Sequence, residues 1–143
     1  MTRGEAIRRR ESGQSLLEFA IVLPILLALL VGIFEFGVAW NRKQVLTNAA
    51  REGARRAVLP TAATADTVDA VVDTYLTSAG ITPASVDRNY SGLCTSCTGD
   101  TITIQLQMNH TMPFVSAVAG LLSGGGGTPG SVTLTSVVNM RHE

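Results

Sequence analysis

The segment from Gly13 to Trp40, GQSLLEFAIVLPILLALLVGIFEFGVAW, limits what this chain can become more than any other part of it. Between Glu18 and Glu35 lie 16 residues without a formal charge, and apolar residues continue on both sides. A helix from Leu16 to Trp40 is roughly 37 Å long at ~1.5 Å per residue, more than the ~30 Å of hydrocarbon in a bilayer. Its side chains are apolar all round, which rules out an amphipathic surface helix and leaves a buried or a membrane-embedded one. Near the N-terminus and behind Arg8-Arg9-Arg10, it reads as a membrane span or an export signal. A cleaved secretory signal needs small residues in an A-x-A pattern after the apolar core. Ala39-Trp40-Asn41-Arg42 offers none, so the helix is expected to be retained.

Charge is unevenly divided around this helix. Up to residue 57 there are nine Lys/Arg and five Asp/Glu; beyond it there are two and six, for a net charge of zero. Basic residues that flank an apolar span meet lipid phosphates, and the acidic outer half argues against nucleic acid as a partner. The positive-inside rule does not decide orientation. Arg3, Arg8, Arg9 and Arg10 precede the span, while Arg42, Lys43, Arg51, Arg55 and Arg56 follow it.

Glu18 requires an explanation, because a carboxylate at mid-bilayer costs about 2.5–3.5 kcal/mol on insertion scales, and less near an interface. One explanation is that it sits at headgroup depth and snorkels. The other comes from its distance to Gly13. Were the chain cut after Gly13, Glu18 would be the fifth residue of the product, one helical turn from the new α-amino group. That amine, or the N-terminus of a neighbouring copy, would neutralise it.

The Gly-x-x-x-x-Glu pattern after a basic leader, at the opening of an apolar helix, resembles type IV prepilins. The longer string GQSLLEFAIVLPILLALLVGIFEFGVAWNRKQVLTNAAREGARRAV is similar to the TadE-like family, the minor pilins or pseudopilins of the Tad (Flp) pilus machinery. The resemblance implies removal of residues 1–13 by a prepilin peptidase at Gly13/Gln14, on the cytoplasmic face of the bacterial inner membrane. The N-terminus would then lie in the cytoplasm and the head outside it. Phe19 stands where the major pilins of this system carry Tyr. The implied partners are the peptidase, other major and minor pilins, the inner-membrane assembly platform and the lipid bilayer. The implied role is structural, in pilus assembly and adhesion.

Past Trp40 the helix is expected to continue to Leu59, where Pro60 ends it. Val45, Ala49, Gly53 and Ala57, with Leu46, Ala50, Ala54 and Val58, form two adjacent i, i+4 rows of mostly small residues. These rows can pack on the chain's own head or on other subunits. Pro24 is either a tolerated membrane proline or a hinge. Glu35 is expected to reach the far interface beside Trp40, as a structural residue. Val68, Val71, Val72, Tyr75, Leu76 and Ala79 recur with helical spacing, capped by Thr64 or Asp66 and stopped by Gly80. Asp66, Asp69 and Asp73 are assigned to that helix's solvated side.

Strands are expected at Ser85–Tyr90, along the alternation Ile102–Asn109, and through Val132, Leu134, Ser136, Val138 and Met140. Phe114–Leu122 reads as a short apolar helical turn. The expected fold class is therefore α+β. A long N-terminal transmembrane helix of residues 14–59, membrane-embedded to about residue 40, carries a small pilin-like head of residues 60–143. The head has one helix and an antiparallel sheet of about three strands.

Little in the chain suggests catalysis. Cys94-Thr-Ser-Cys97 is compatible with a loop-bracing disulfide, free thiols, a thiol–disulfide site, or a zinc site with His110. Its Gly-rich setting favours the disulfide. There is no G-x-S-x-G, and Gly124–Gly127 lacks the Lys and the strand–helix context of a phosphate loop. No active site, cofactor or metal is expected. Two rivals to the pilin reading remain. One is an uncleaved single-pass membrane-anchored extracytoplasmic binding module; the other is a membrane-tethered thiol enzyme.

Overall fold

Helix α1 runs without interruption from Arg3 to Ala57 and passes through Pro24. The computed structural model describes residues 3–59, 64–93, 99–122 and 130–142. The helix begins upstream of the expected Gln14. The Arg, Glu and Ala residues of its first turns favour helix, and Gly4 and Gly13 cost only ~1 kcal/mol each against them. It ends at Ala57, two residues short of Leu59. Val58 and Leu59 form a turn, with their N–H groups donating to Ala54 O (3.1 Å) and Arg56 O (3.3 Å). The residue before Pro60 is pushed out of the helical region by the proline ring, which accounts for the early stop.

The rest of the described chain is an α+β head. Its elements are α2 (Ala65–Ser78), β1 (Val86–Ser91), β2 (Thr101–Thr111), α3 (Pro113–Leu122) and β3 (Ser131–Arg141). The three strands form an antiparallel meander in the order β1-β2-β3. Leu106 stands between Arg88 and Ser136, and Ile104 between Tyr90 and Val138. The alternation in β2 turns Ile102, Ile104, Leu106, Met108 and His110 toward the helices, and all five are buried. In β3, Leu134 and Ser136 are buried as expected and Val138 and Met140 half-buried. Val132 is exposed at the beginning of this edge strand.

The outer half of α1 is the wall on which the head is built. Leu46, Ala49, Ala50, Ala54 and Ala57 are fully buried among Val68, Val72 and Leu76 of α2 and Ile102, Ile104 and Leu106 of β2. Both rows of small residues thus serve the chain's own head. Small side chains let the helix backbone approach closely, and each large apolar residue buried against it contributes roughly 1.5–3 kcal/mol.

Helix α2 starts at Thr64, whose hydroxyl accepts the Thr67 N–H. It closes in a Schellman turn. Gly80 at φ 73° donates to Thr77 O (3.0 Å), and Ile81 donates to Leu76 O (2.9 Å). Ala79 does not extend the apolar face as its spacing suggests; it is the C-cap residue and lies exposed. The expected helical turn at Phe114–Leu122 is a ten-residue helix, α3, so the head has two helices rather than one.

Candidate functional site

The two halves of α1 have opposite surroundings. From Gln14 to Phe34 no residue is buried; Ala28, Val31 and Gly32 are half-buried and the others exposed, Phe19 at 62%. From Glu35 onward the helix turns one face into the head. The described residues contain one helix long and apolar enough to cross a membrane, and no residue of its most apolar window is buried. None of the described elements of the head covers that length, so the exposed half suits lipid or the apolar helices of other subunits.

Within that half, the side chains of Gln14 and Glu18 lie one helical turn apart. Gln14 Nε2 donates to Glu18 Oε1 at 3.4 Å across one helical turn. Gly13 lies just before them in the same helix, and Phe19 points away from any protein contact that would bury it. Cys94 and Cys97 lie outside the described residues. The loop that carries them is bracketed by Gly92 and Gly99, at φ 76° and 91°. A Cβ on Gly92 would stand 2.4 Å from Thr101 O, so the backbone crosses there at a distance that glycine permits. His142 is buried beside this loop, its backbone exchanging hydrogen bonds with Gly99 and Asp100 at 2.9 Å. Its Nε2 has no partner among the described residues.

The junction between the two halves of α1 holds contacts that sequence reasoning missed. Glu35 is only 9% exposed, and both its carboxylate oxygens are engaged. They accept the backbone N–H groups of Phe114 (2.7 Å) and Val115 (3.0 Å). Helix α3 opens with Pro113 and has no Ser, Thr, Asp or Asn at Met112 to cap it. Glu35 therefore supplies from another helix both the acceptors and the negative charge that a helix N-terminus attracts. Met112 N–H donates to Gly130 O at 2.9 Å, which ties the approach to α3 to the start of β3. The signal in the sequence was Pro113 itself, a first-turn residue without a local cap. Trp40 is exposed and stacks on Phe36 with ring centroids 6.2 Å apart.

One turn beyond Ala39, Arg42 Nη1 lies 3.0 Å from His110 Nδ1. A guanidinium only donates, so Nδ1 is the acceptor and the imidazole is neutral with its proton on Nε2. Burial, then the adjacent Arg42 charge, push the His110 pKa below its ordinary value against the pull of Glu35.

A second cluster corrects the reading of Asp69 and Asp73 as merely solvated. Arg88 of β1 donates to Asp69 Oδ1 at 2.8 Å, to Asp73 Oδ1, and to Pro83 O at 3.2 Å, while Tyr90 Oη donates to Asp69 Oδ1 at 2.6 Å. Two carboxylates one turn apart on α2 thus hold the edge strand β1 by two of its inward-facing side chains. Burial alone would raise the Asp69 pKa. The hydrogen bonds from Tyr90 and Arg88 and the Arg88 charge outweigh it and hold the carboxyl below its ordinary value. Among the described residues, no three His, Cys, Asp or Glu side chains gather as a metal site.

These two depressed pKa values fix a pH dependence. Both groups bind fewer protons folded than unfolded, so each stabilises the fold above its ordinary pKa and loses that contribution as pH falls through the folded value. For His110 the loss begins near 6.5, and for Asp69 near 3.8. Thermal unfolding of the full chain in micelles should therefore show a stability step on acidification below about pH 6.5. His110→Gln, which keeps an acceptor for Arg42 but cannot titrate, should remove that step and leave the acid-limb loss from Asp69.

Residues 13–55 match the model of the family described as TadE-like protein. No curated protein and no solved structure matches the chain. The matched segment covers the exposed half of α1 and most of the half that supports the head.

Proposed function

We propose, from the match of residues 13–55 to the family described as TadE-like protein, that this protein is a minor pilin or pseudopilin of the Tad pilus machinery. Residues 1–13 are a cytoplasmic leader, and prepilin peptidase cuts between Gly13 and Gln14. The exposed half of α1, to about residue 40, holds the product in the inner membrane, with the head outside the cytoplasm. The observation that carries this reading is the contrast along α1. One half is exposed and apolar for a length that matches a bilayer, and the other turns one face into the chain's own head. Such a helix can move from lipid into a bundle of like helices without refolding the domain it carries.

In this reading Glu18 supplies the charge that selects register. Cleavage creates an ammonium group at Gln14, and a carboxylate one turn away in an apolar medium binds it or that of a neighbour. The protein makes or breaks no bond itself; Gly13 and Gln14 are substrate positions and Glu18 an assembly position. Its partners are the peptidase, the other major and minor pilins, and the inner-membrane assembly platform.

The test is intact mass of the membrane-extracted protein, with variants in parallel. The parent should lack the first 13 residues, and Gly13→Asp should retain them. Glu18→Ala should be cut normally but enter the assembly at least about tenfold less, the equivalent of ~1.4 kcal/mol of lost ion pairing out of water. A parent with an intact N-terminus would instead favour the uncleaved anchored module. A phenotype abolished by Cys94→Ser with Cys97→Ser, at unchanged protein level, would favour the tethered thiol enzyme.

A further inference from the structure

The head contains a second apolar helix whose position the pilin reading leaves unused. We propose that α3 is seated in the outer leaflet of the bilayer beside the span, with Glu35 as the pin that holds it at that depth. This inference rests on the reading of α1 as membrane-spanning.

Glu35 closes the uncharged run that starts after Glu18. At ~1.5 Å per residue the two carboxylates stand roughly 25 Å apart along the helix, close to the thickness of the hydrocarbon layer. With Glu18 near one boundary, Glu35 lies near the other, and the N-terminus of α3 is fastened there by the bonds to Phe114 and Val115. Ala28, Val31 and Gly32, the half-buried positions of the otherwise exposed span, fall on the face of Glu35, one and two turns toward the N-terminus. Helix α3 packs on α1, so the geometry points to a helix that descends from Glu35 along the upper part of the span.

The chemistry of α3 suits lipid. Its sequence, PFVSAVAGLL, has no charge and one hydroxyl, and that hydroxyl is satisfied internally, Ser116 Oγ donating to Pro113 O at 2.7 Å. Its first free N–H groups are taken by Glu35, which removes the backbone cost of leaving water at that end. No Asp, Glu, Lys or Arg occurs from Thr101 to Met140, so nothing in α3 or the segments beside it resists the headgroup region electrostatically. Val115 is 43% exposed and Ala117 is exposed among the described residues. Ten residues make about 15 Å of helix, the depth of one leaflet and half of a span. Val115 and Ala117 lie on different sides of α3, and lipid, continuous with the surface that surrounds α1, is the occupant of both rather than water or a second copy.

The test uses the full chain in phosphatidylcholine vesicles. Trp40 is the one tryptophan, so Trp40→Phe gives a silent background. In it, Val115→Trp, and independently Ala117→Trp, report on α3, and Leu27→Trp reports on the span. The α3 reporters should show blue-shifted emission and lose several-fold more of it to lipids brominated high on the acyl chain than to aqueous iodide. The Leu27 reporter should respond to deeply placed bromines. Adding Glu35→Ala should shift the α3 reporters toward iodide. Quenching of both α3 reporters by iodide, or by neither agent, with Leu27→Trp still quenched by deep bromines overturns the seating of α3 and leaves the span intact. Loss of the Leu27 response overturns the membrane reading, and this inference with it.

Discussion

Glu35→Ala should loosen α3 and cost about 2–3 kcal/mol locally, more than a surface cap is worth, because two charge-assisted hydrogen bonds vanish and two N–H groups lose their acceptors. The readout is amide hydrogen exchange. Phe114 and Val115 are expected to exchange on the order of 50-fold faster, while the β2 amides of Ile104 and Leu106 change little. The asymmetry follows from where the core sits. Leu46, Ala50, Ala54 and their partners hold β2 to α1 without help from α3. Glu35→Gln keeps the length of the side chain and one carbonyl acceptor but loses the charge, and should give about half the effect. Unchanged exchange in α3 for Glu35→Ala would mean that the two bonds, at 2.7 and 3.0 Å, are not what holds the helix.

Gly53→Leu should destabilise the head by about 3 kcal/mol, the upper range for overpacking a filled core. A Cβ at this position would stand 2.9 Å from Val72 Cγ2, 3.3 Å from Ile104 Cδ1 and 3.4 Å from Val68 Cγ1. Both valines lie in α2, where a β-branched side chain has in effect one rotamer, so neither can swing aside. The remaining Leu atoms have no space, and α1 must separate from α2 or β2. Gly53→Ala is the informative comparison. Its gain of ~1 kcal/mol in helix propensity opposes the tight contacts to Val72 and Ile104, and the net change should stay within about 1 kcal/mol of zero. Chemical denaturation of the detergent-solubilised chain measures both. A Leu variant as stable as the parent would show that α1 does not approach α2 this closely in solution.

Both predictions concern contacts between segments far apart in the chain, and this separates what could be read from residues alone. The apolar span, the alternation of Ile102, Ile104, Leu106 and Met108, the Thr64 cap and the Gly80 stop were legible because each depends on neighbours within a turn or a strand. Helical period, strand period and charge spacing are local quantities, and a single chain displays them in order.

The pairings of charged groups were not legible in this way. Asp69 and Asp73 have the spacing of a solvated helix face, and only the register of β1 against β2 brings Arg88 and Tyr90 onto them. Glu35 looks like an interfacial carboxylate until α3 presents its bare N–H groups 79 residues later. In the same way, the two small-residue rows of α1 fit a neighbour or the chain's own head equally well by composition. Their burial is settled by a sheet that lies across them. The chain therefore carries in its order of residues that there is a helix long enough for a membrane, and that an α+β head follows it. Which of its charges are spent inside the head is set by folding, because an ion pair or a cap is defined by distance in space and leaves no periodic trace along the backbone.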